Sequence, residues 1–159
     1  MRGDDAALTA DEVRGFNVFM GKAQCGICHF IPLFNGNVPP EFTNSESEVI
    51  GVPRRADNRR PSAARPSAAR IDSGEGRYIN TKMAPLRYAF KTPILRHAAQ
   101  TVPYMHNGVY KTLDEVVDFY DRGGGTGLGF DLPNQTLPEG KLNLTVSEKK
   151  ALVAFLKVL

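Results

Sequence analysis

Apolar residues recur at helical spacing in three stretches of this chain, and each stretch follows the same polar signature. Thr9-Ala10-Asp11-Glu12 places a Thr where its hydroxyl can take the amide three residues on, with a Glu able to reach back, a capping box. Val13, Phe16 and Met20 follow in helical register and Gly21 can close the run, so the pattern predicts a helix over 10–21. Thr112-Leu113-Asp114-Glu115 is a second box, with Leu113, Val116, Val117 and Tyr120 forming an apolar face before Gly123. Thr145-Val146-Ser147-Glu148 is a third, and Leu152, Phe155, Leu156 and Leu159 repeat behind it at i, i+3, i+4 and i+7. Thr92-Pro93 adds an N-cap followed by Pro at the first helical position, predicting a short helix over 93–100. Pro32, Asn35-Gly36, Pro39-Pro40 and Pro53 mark a loop over 31–53, Pro103 and Asn107-Gly108 mark turns, and 123–144 reads as a Gly- and Pro-rich loop. The expected fold is all-α with long connections, as one domain over 1–159.

Composition agrees with a packed but loop-rich domain: 42% of the 159 residues are hydrophobic, beside fifteen Gly and eleven Pro. The net charge of +3 conceals a local excess. Residues 54–70 hold six Arg against one Asp, a local +5, which leaves −2 for the rest of the chain. A near-neutral body does not suggest a nucleic-acid binder. The same stretch duplicates itself, Arg60-Pro-Ser-Ala-Ala64 and then Arg65-Pro-Ser-Ala-Ala69. It is expected to be a flexible, solvated insertion within the domain, with a docking patch for an acidic partner as the alternative. No apolar run approaches the roughly 18 residues of a membrane span.

There are two Cys, and they stand three apart in Cys25-Gly26-Ile27-Cys28-His29. This is C-x-x-C-H, the attachment signature of c-type haem. Two thiols on one turn can reach the two vinyl groups of one porphyrin edge, and the following His is thereby directed at the iron as an axial ligand. A structural zinc site would need four ligands and there is no second Cys pair. A thioredoxin-like pair would follow a strand of a βαβ unit, and no such unit is visible. A chance match in an apolar core remains open, against the helical setting of the motif. One covalent haem on Cys25, Cys28 and His29 is therefore the expectation. Covalent attachment belongs to the outward, periplasmic side of bacterial membranes. No apolar signal segment follows Met1-Arg2-Gly3-Asp4-Asp5, so the chain is expected to be a piece of a longer one. Gly123-Gly124-Gly125-Thr126-Gly127 follows a helix and lacks the strand-to-helix setting of a phosphate loop.

Three pieces carry a family resemblance: Phe-Met-Gly-Lys-Ala-Gln-Cys-Gly-Ile-Cys-His (19–29), Phe-Lys-Thr-Pro-Ile-Leu-Arg (90–96), and Thr-Val-Pro-Tyr-Met-His-Asn-Gly (101–108) with Thr-Leu-Asp-Glu-Val-Val (112–117) behind it. They resemble the C-terminal haem domain of the bacterial di-haem cytochrome c peroxidases, a family that includes the di-haem enzyme maturing the tryptophan tryptophylquinone cofactor. The matching stretches cover about half the chain, and the Arg-rich insertion has no counterpart among them. The resemblance implies a cytochrome c-like helical domain around one haem. It implies a C-terminal haem that takes electrons from a small redox protein and passes them to a second haem domain, where peroxide is reduced. This chain matches only the electron-transferring half, so peroxidase activity of its own is in doubt. The alternatives are a free-standing mono-haem electron carrier and a mono-haem peroxidase with an open iron site.

The ligand opposite His29 is not settled by the residues. Met20, Met83, Met105, His97, His106 and Tyr120 are candidates. Chemistry favours a Met such as Met83 or Met105 in an electron carrier, because thioether ligation raises the potential. Met20 lies too close to the motif and reads as core. The family register implies another answer. Its axial Met falls fourteen positions after the His matching His106, which here is Tyr120. That departure resembles the quinone-maturation branch, where a Tyr oxygen takes the site. An open or water-filled position, with Tyr120 an ordinary core aromatic, is the remaining reading. The resemblance also places His106 beside the haem without ligating it, and implies Ca²⁺ bound partly through carbonyls matching Thr101 and Pro103.

Overall fold

The three capping boxes form as expected. The computed structural model describes residues 7–55, 70–138 and 140–159. Helix α1 spans Ala10–Met20, α3 spans Leu113–Asp121 and α5 spans Val146–Val158. Each is opened by its Thr, whose hydroxyl accepts the amide of the Glu three residues on while that Glu accepts the Thr amide. Such reciprocal caps satisfy donors that a helix start otherwise leaves orphaned.

Helices α1 and α5 pack along each other and build the main core. Phe19 is fully buried between them, with its ring edge-on to Phe155 at 5.5 Å and to Phe34 at 5.8 Å. Phe16 meets Phe155 edge-on at 5.4 Å. Edge-to-face pairs of this kind add about 0.5–1.5 kcal/mol each beyond the area they bury. Gly15 makes the crossing possible, because a Cβ there would run into the backbone carbonyl of Ala151. Helix α3 joins through Leu113 and Val117, and an ion network fastens it. Lys149 Nζ on α5 bridges Asp118 at 2.9 Å and Asp121 at 2.6 Å.

The fold is not all-α. Helices, 3-10 turns included, make up 36% of the structure and extended pairs 10%. Strands β1 (Ser47–Glu48) and β2 (Phe90–Lys91) form an antiparallel ladder pairing Ser47 with Lys91 and Glu48 with Phe90. Isolated bridges join Phe30 to Asn35, Asn37 to Ser45, Pro53 to Ile71 and Tyr104 to Tyr110. The long connections therefore satisfy their backbone groups by pairing with one another. Val49, Ala89 and Leu132 gather beside this ladder in a second, smaller core.

The helix expected over 93–100 is absent, and only a 3-10 turn forms at Ala98–Gln100. The Thr92 amide donates to the Glu46 carbonyl at 3.1 Å, the Pro93 carbonyl accepts from His29, and the Leu95 amide donates to the Phe34 carbonyl at 2.9 Å. Those contacts hold the segment extended. Two short helices were not visible in the pattern: α2 (Tyr78–Thr81) and α4 (Gly124–Gly127), the latter inside the stretch read as loop. At α4, Gly51 and Gly125 let two backbones cross, since a Cβ on either would meet the other's main chain. Of the Arg-rich insertion expected at 54–70, residues 56–69 lie outside the described residues. Its two ends run side by side: Arg54 N donates to Arg70 O at 2.7 Å and Asp72 N to Val52 O at 2.9 Å. Among the described residues no helix is long and apolar enough to cross a membrane.

Replacing Gly15 by Ala sets two effects against each other. Removing a mid-helix glycine favours the helix by about 1 kcal/mol, whereas overpacking against fixed backbone costs about 1–3 kcal/mol and more where nothing can give way. The obstacle is a main-chain carbonyl on the facing helix. Gly15→Ala should therefore lower the denaturant midpoint by an amount equivalent to about 2 kcal/mol. A midpoint at or above the parent's would contradict this packing.

Candidate functional site

The thiol pair sits on a single 3-10 turn, Cys25–Ile27, directly after α1. Gln24 enters the turn in the left-handed region, and the amides of Cys28 and His29 both donate to the Cys25 carbonyl. Cys25 also packs against the main core, so the turn is tied to α1 and α5. Both cysteines are free and half-buried. Burial pushes the Cys25 thiol up to about 12. Burial, then the charges of Glu48 and Glu46, push Cys28 up to about 12 as well. Thiols held this far from ionisation are poor thiol–disulfide catalysts, which require a lowered pKa.

His29 is fixed by the extended segment after β2. Its Nδ1 lies 3.1 Å from the Pro93 carbonyl. A carbonyl can only accept, so the proton sits on Nδ1 and the Nε2 lone pair is left to act as a ligand. Burial drives the imidazole down to about 4, against the opposing pull of the Pro93 and Phe34 carbonyls. The ring is thus held neutral, the form a metal requires.

Tyr120, near the end of α3, is half-buried. Burial raises its phenol, and the groups that face it and raise it further are Cys25, Cys28, Glu48 and Tyr110. Tyr110 is itself pushed up to about 12 by burial, with Arg122 pulling the other way. Two thiols and a neutral phenol therefore share one wall of the molecule.

The other candidates fall elsewhere. Met83 is 56% exposed at the start of a 3-10 turn. Met20 is exposed at the end of α1, lying over Gly26. Met105 is half-buried in the turn closed by the Gly108 amide. His97 is exposed in a left-handed conformation. His106 stacks on Phe90, ring centroids 3.8 Å apart and 9° from parallel, with its Nε2 3.0 Å from Asp72 Oδ1. Burial alone would raise the Asp72 carboxyl, but the Gly74 amide, His106 and Asn107 hold it below the usual carboxylate range. Thr101 and Pro103 are exposed, with the Thr101 hydroxyl turned to the Ala98 carbonyl at 3.1 Å.

Sequence reasoning missed four participants. The Pro93 carbonyl could not be read from side chains. Asp72 had no motif behind it. Glu46 and Glu48 did leave a signal, the alternation Ser45-Glu46-Ser47-Glu48, which puts both carboxylates on one side of an extended strand.

No protein-family model matches the chain. It is 37% identical to the cytochrome-c peroxidase IdrP1 of Denitromonas iodatirespirans, an alignment covering 99% of this chain and 42% of that protein. It is 33% identical to the methylamine utilization protein MauG of Methylorubrum extorquens, covering 99% of this chain and 36% of the relative. It is 32% identical to the cytochrome c551 peroxidase of Nitrosomonas europaea over 77% of this chain and 30% of the relative. Among solved structures it resembles a MauG-like protein associated with microbial copper homeostasis, with a TM-score of 0.71 and 27% identity over 96% of this chain and 47% of that one. The chain thus spans less than half the length of these relatives.

Such relatives imply haem c, and the donor set fits it. Two un-ionised thiols share a turn, one imidazole nitrogen is left as a base, and a phenol faces the thiols. Among the described residues no three His, Cys, Asp or Glu side chains converge on a common metal position. Motif, donor chemistry and relatives agree that this chain belongs to the family of the cytochrome-c peroxidases and MauG.

Proposed function

We propose that this chain is the electron-transferring haem unit of a peroxidase-family oxidoreductase, corresponding to the C-terminal half of a di-haem protein. Cys25 and Cys28 would hold a haem edge through thioether links, His29 Nε2 would bind its iron, and Tyr120 would be the second protein ligand. The observation that carries this reading is the pair of free cysteines at one turn, followed by a His whose ring is already oriented by the Pro93 carbonyl with its Nε2 left to bind.

A haem bound here supplies a one-electron iron couple whose potential the protein sets. The chain's part is to fix the ligands and shield the iron. A phenolic oxygen is a hard donor and favours ferric over ferrous iron, relative to a thioether. An iron whose ligands both came from the protein would suit electron passage better than peroxide binding. The partners that fit are a small redox protein as donor and a second haem domain as acceptor. Ile27, Ile31 and Ile94, all beside the motif or beside Pro93, expose apolar surface suited to such a contact. Covalent haem attachment would suit a periplasmic location.

Three measurements test this reading. On a denaturing gel the protein from a host with haem-attachment machinery should carry a haem-stained band, and Cys25→Ser with Cys28→Ser should abolish it. Tyr120→Phe should change the charge-transfer region of the ferric spectrum, whereas Met83→Leu should leave it intact; the reverse pattern assigns the ligand to Met83. The third is a pH dependence. In the haem-free chain the neutral, buried His29 has its pKa lowered from 6.5 to about 4. The unfolded chain then binds the extra proton first, so stability is present above 6.5 and is lost as pH falls towards 4. Iron on Nε2 blocks that protonation. The haem-free chain should therefore lose denaturant resistance between pH 7 and pH 5 by more than the holoprotein does, and equal losses would count against His29 as the ligand.

A further inference from the structure

The end of helix α1 lies back over the turn that follows it. The Ala23 amide donates to the Val18 carbonyl and the Gln24 amide to the Gly21 carbonyl, both at 2.9 Å, so the chain reverses within a few residues. Gly26 is thereby brought beneath the last residue of the helix. A Cβ on Gly26 would stand 2.8 Å from Met20 Sδ and 3.0 Å from Met20 Cε. The Met20 thioether therefore occupies the space that a side chain at position 26 would need. An unbranched, adaptable thioether suits such an irregular gap.

The same residue is open to solvent on its other side, 42% exposed. Met20 thus combines an accessible sulfur with a contact on the Cys25–Ile27 turn. The other described methionines differ in one respect each. Met83 is more exposed, at 56%, but stands at the start of a separate turn, Ala84–Leu86. Met105 is half-buried. Oxidation of a thioether follows exposure, and it converts a flexible apolar side chain into a polar, chiral one.

We propose that Met20 is a site of reversible oxidation by hydrogen peroxide, and that its sulfoxide loosens the turn beneath it. The sulfur lone pair attacks one peroxide oxygen, an S–O bond forms and the O–O bond breaks. The proton of the transferred oxygen passes to the departing one, which leaves as water. Sulfur loses two electrons and the peroxide gains them. The new oxygen seeks water, and its hydration draws the sulfur off Gly26. A methionine sulfoxide reductase reverses the step. The proposal does not depend on what the two cysteines carry.

The test treats the holoprotein with hydrogen peroxide, maps oxidation by mass spectrometry of its peptides, and follows amide hydrogen exchange over residues 21–29. Met20 and Met83 should each gain the mass of one oxygen before Met105 does. Exchange over 21–29 should then quicken by about threefold or more, and treatment with methionine sulfoxide reductases should return it to the starting rate. Met83→Leu should leave this response intact, and Met20→Leu, a volume-conserving change, should abolish it. If Met83 is fully oxidised while Met20 is untouched, the site is overturned. If Met20 is oxidised but exchange over 21–29 stays the same, fails to recover with the reductases, or quickens equally in Met20→Leu, the link to the turn is overturned.

Discussion

Residues 92–95 have their backbone groups claimed from outside the segment, and the site depends on that. The Thr92 amide goes to Glu46, the Pro93 carbonyl to His29 and the Leu95 amide to Phe34. A helix through these residues would take the Pro93 carbonyl into its own ladder and turn the Thr92 and Leu95 amides away from their present acceptors. It would release strand β1, free the His29 ring and detach Phe34 from the core it shares with Phe19 and Phe155. One extended tetrapeptide thus orients the imidazole and fixes the strand carrying Glu48. The Thr92 hydroxyl, buried and without a hydrogen-bond partner among the described residues, marks how closely the segment is enclosed.

Enclosure also sets the chemistry of the wall. Burial disfavours charge on four of these groups, raising the two thiols and the phenol and lowering the imidazole. Each is then in its neutral form near pH 7. A thiolate pair would suit disulfide exchange or zinc, and a charged imidazole could bind no metal. Neutral thiols, a neutral imidazole with a fixed tautomer and a neutral phenol suit an apolar macrocycle tethered at one edge. The carboxylates of Glu46 and Glu48 intensify the effect at Cys28.

What could be read in the sequence was what one short stretch decides for itself. The boxes at Thr9, Thr112 and Thr145 each need only four consecutive residues, and each became a helix with its expected start. The C-x-x-C-H motif is equally local, since a single turn presents all three side chains. Thr92-Pro93 has the same local quality but lost to partners more than forty residues away at Glu46 and more than fifty at Phe34. The expectation of an all-α fold failed for the same reason. The ladder between Ser47–Glu48 and Phe90–Lys91 has two residues on each strand, too few for a periodic signal. Tyr120 was readable as a helix residue from its spacing to Val116 and Val117. That the charges of Cys25 and Cys28 bear on its phenol is a tertiary fact.

The distance between the thiols and that phenol is set by an element that carries neither. The thiol turn is bonded to the end of α1 through Ala23 to Val18 and Gln24 to Gly21. Helix α1 lies on α5 at a separation that Gly15 allows, and α5 grips α3 through Lys149, which holds Asp118 and Asp121 on either side of Tyr120. Asp121 also accepts the Leu144 amide at 2.8 Å, closing the loop that leads into α5. Asp118 is held below the usual carboxylate range, first by the hydrogen bond from Lys149. Each link is a close-packed or charge-assisted contact, so the two sides of the site are joined by rigid elements. A partly exposed ion pair adds little to stability by itself. Here its consequence is geometric: a displacement of α5 carries α3, and Tyr120 with it, relative to the thiol turn on the end of α1.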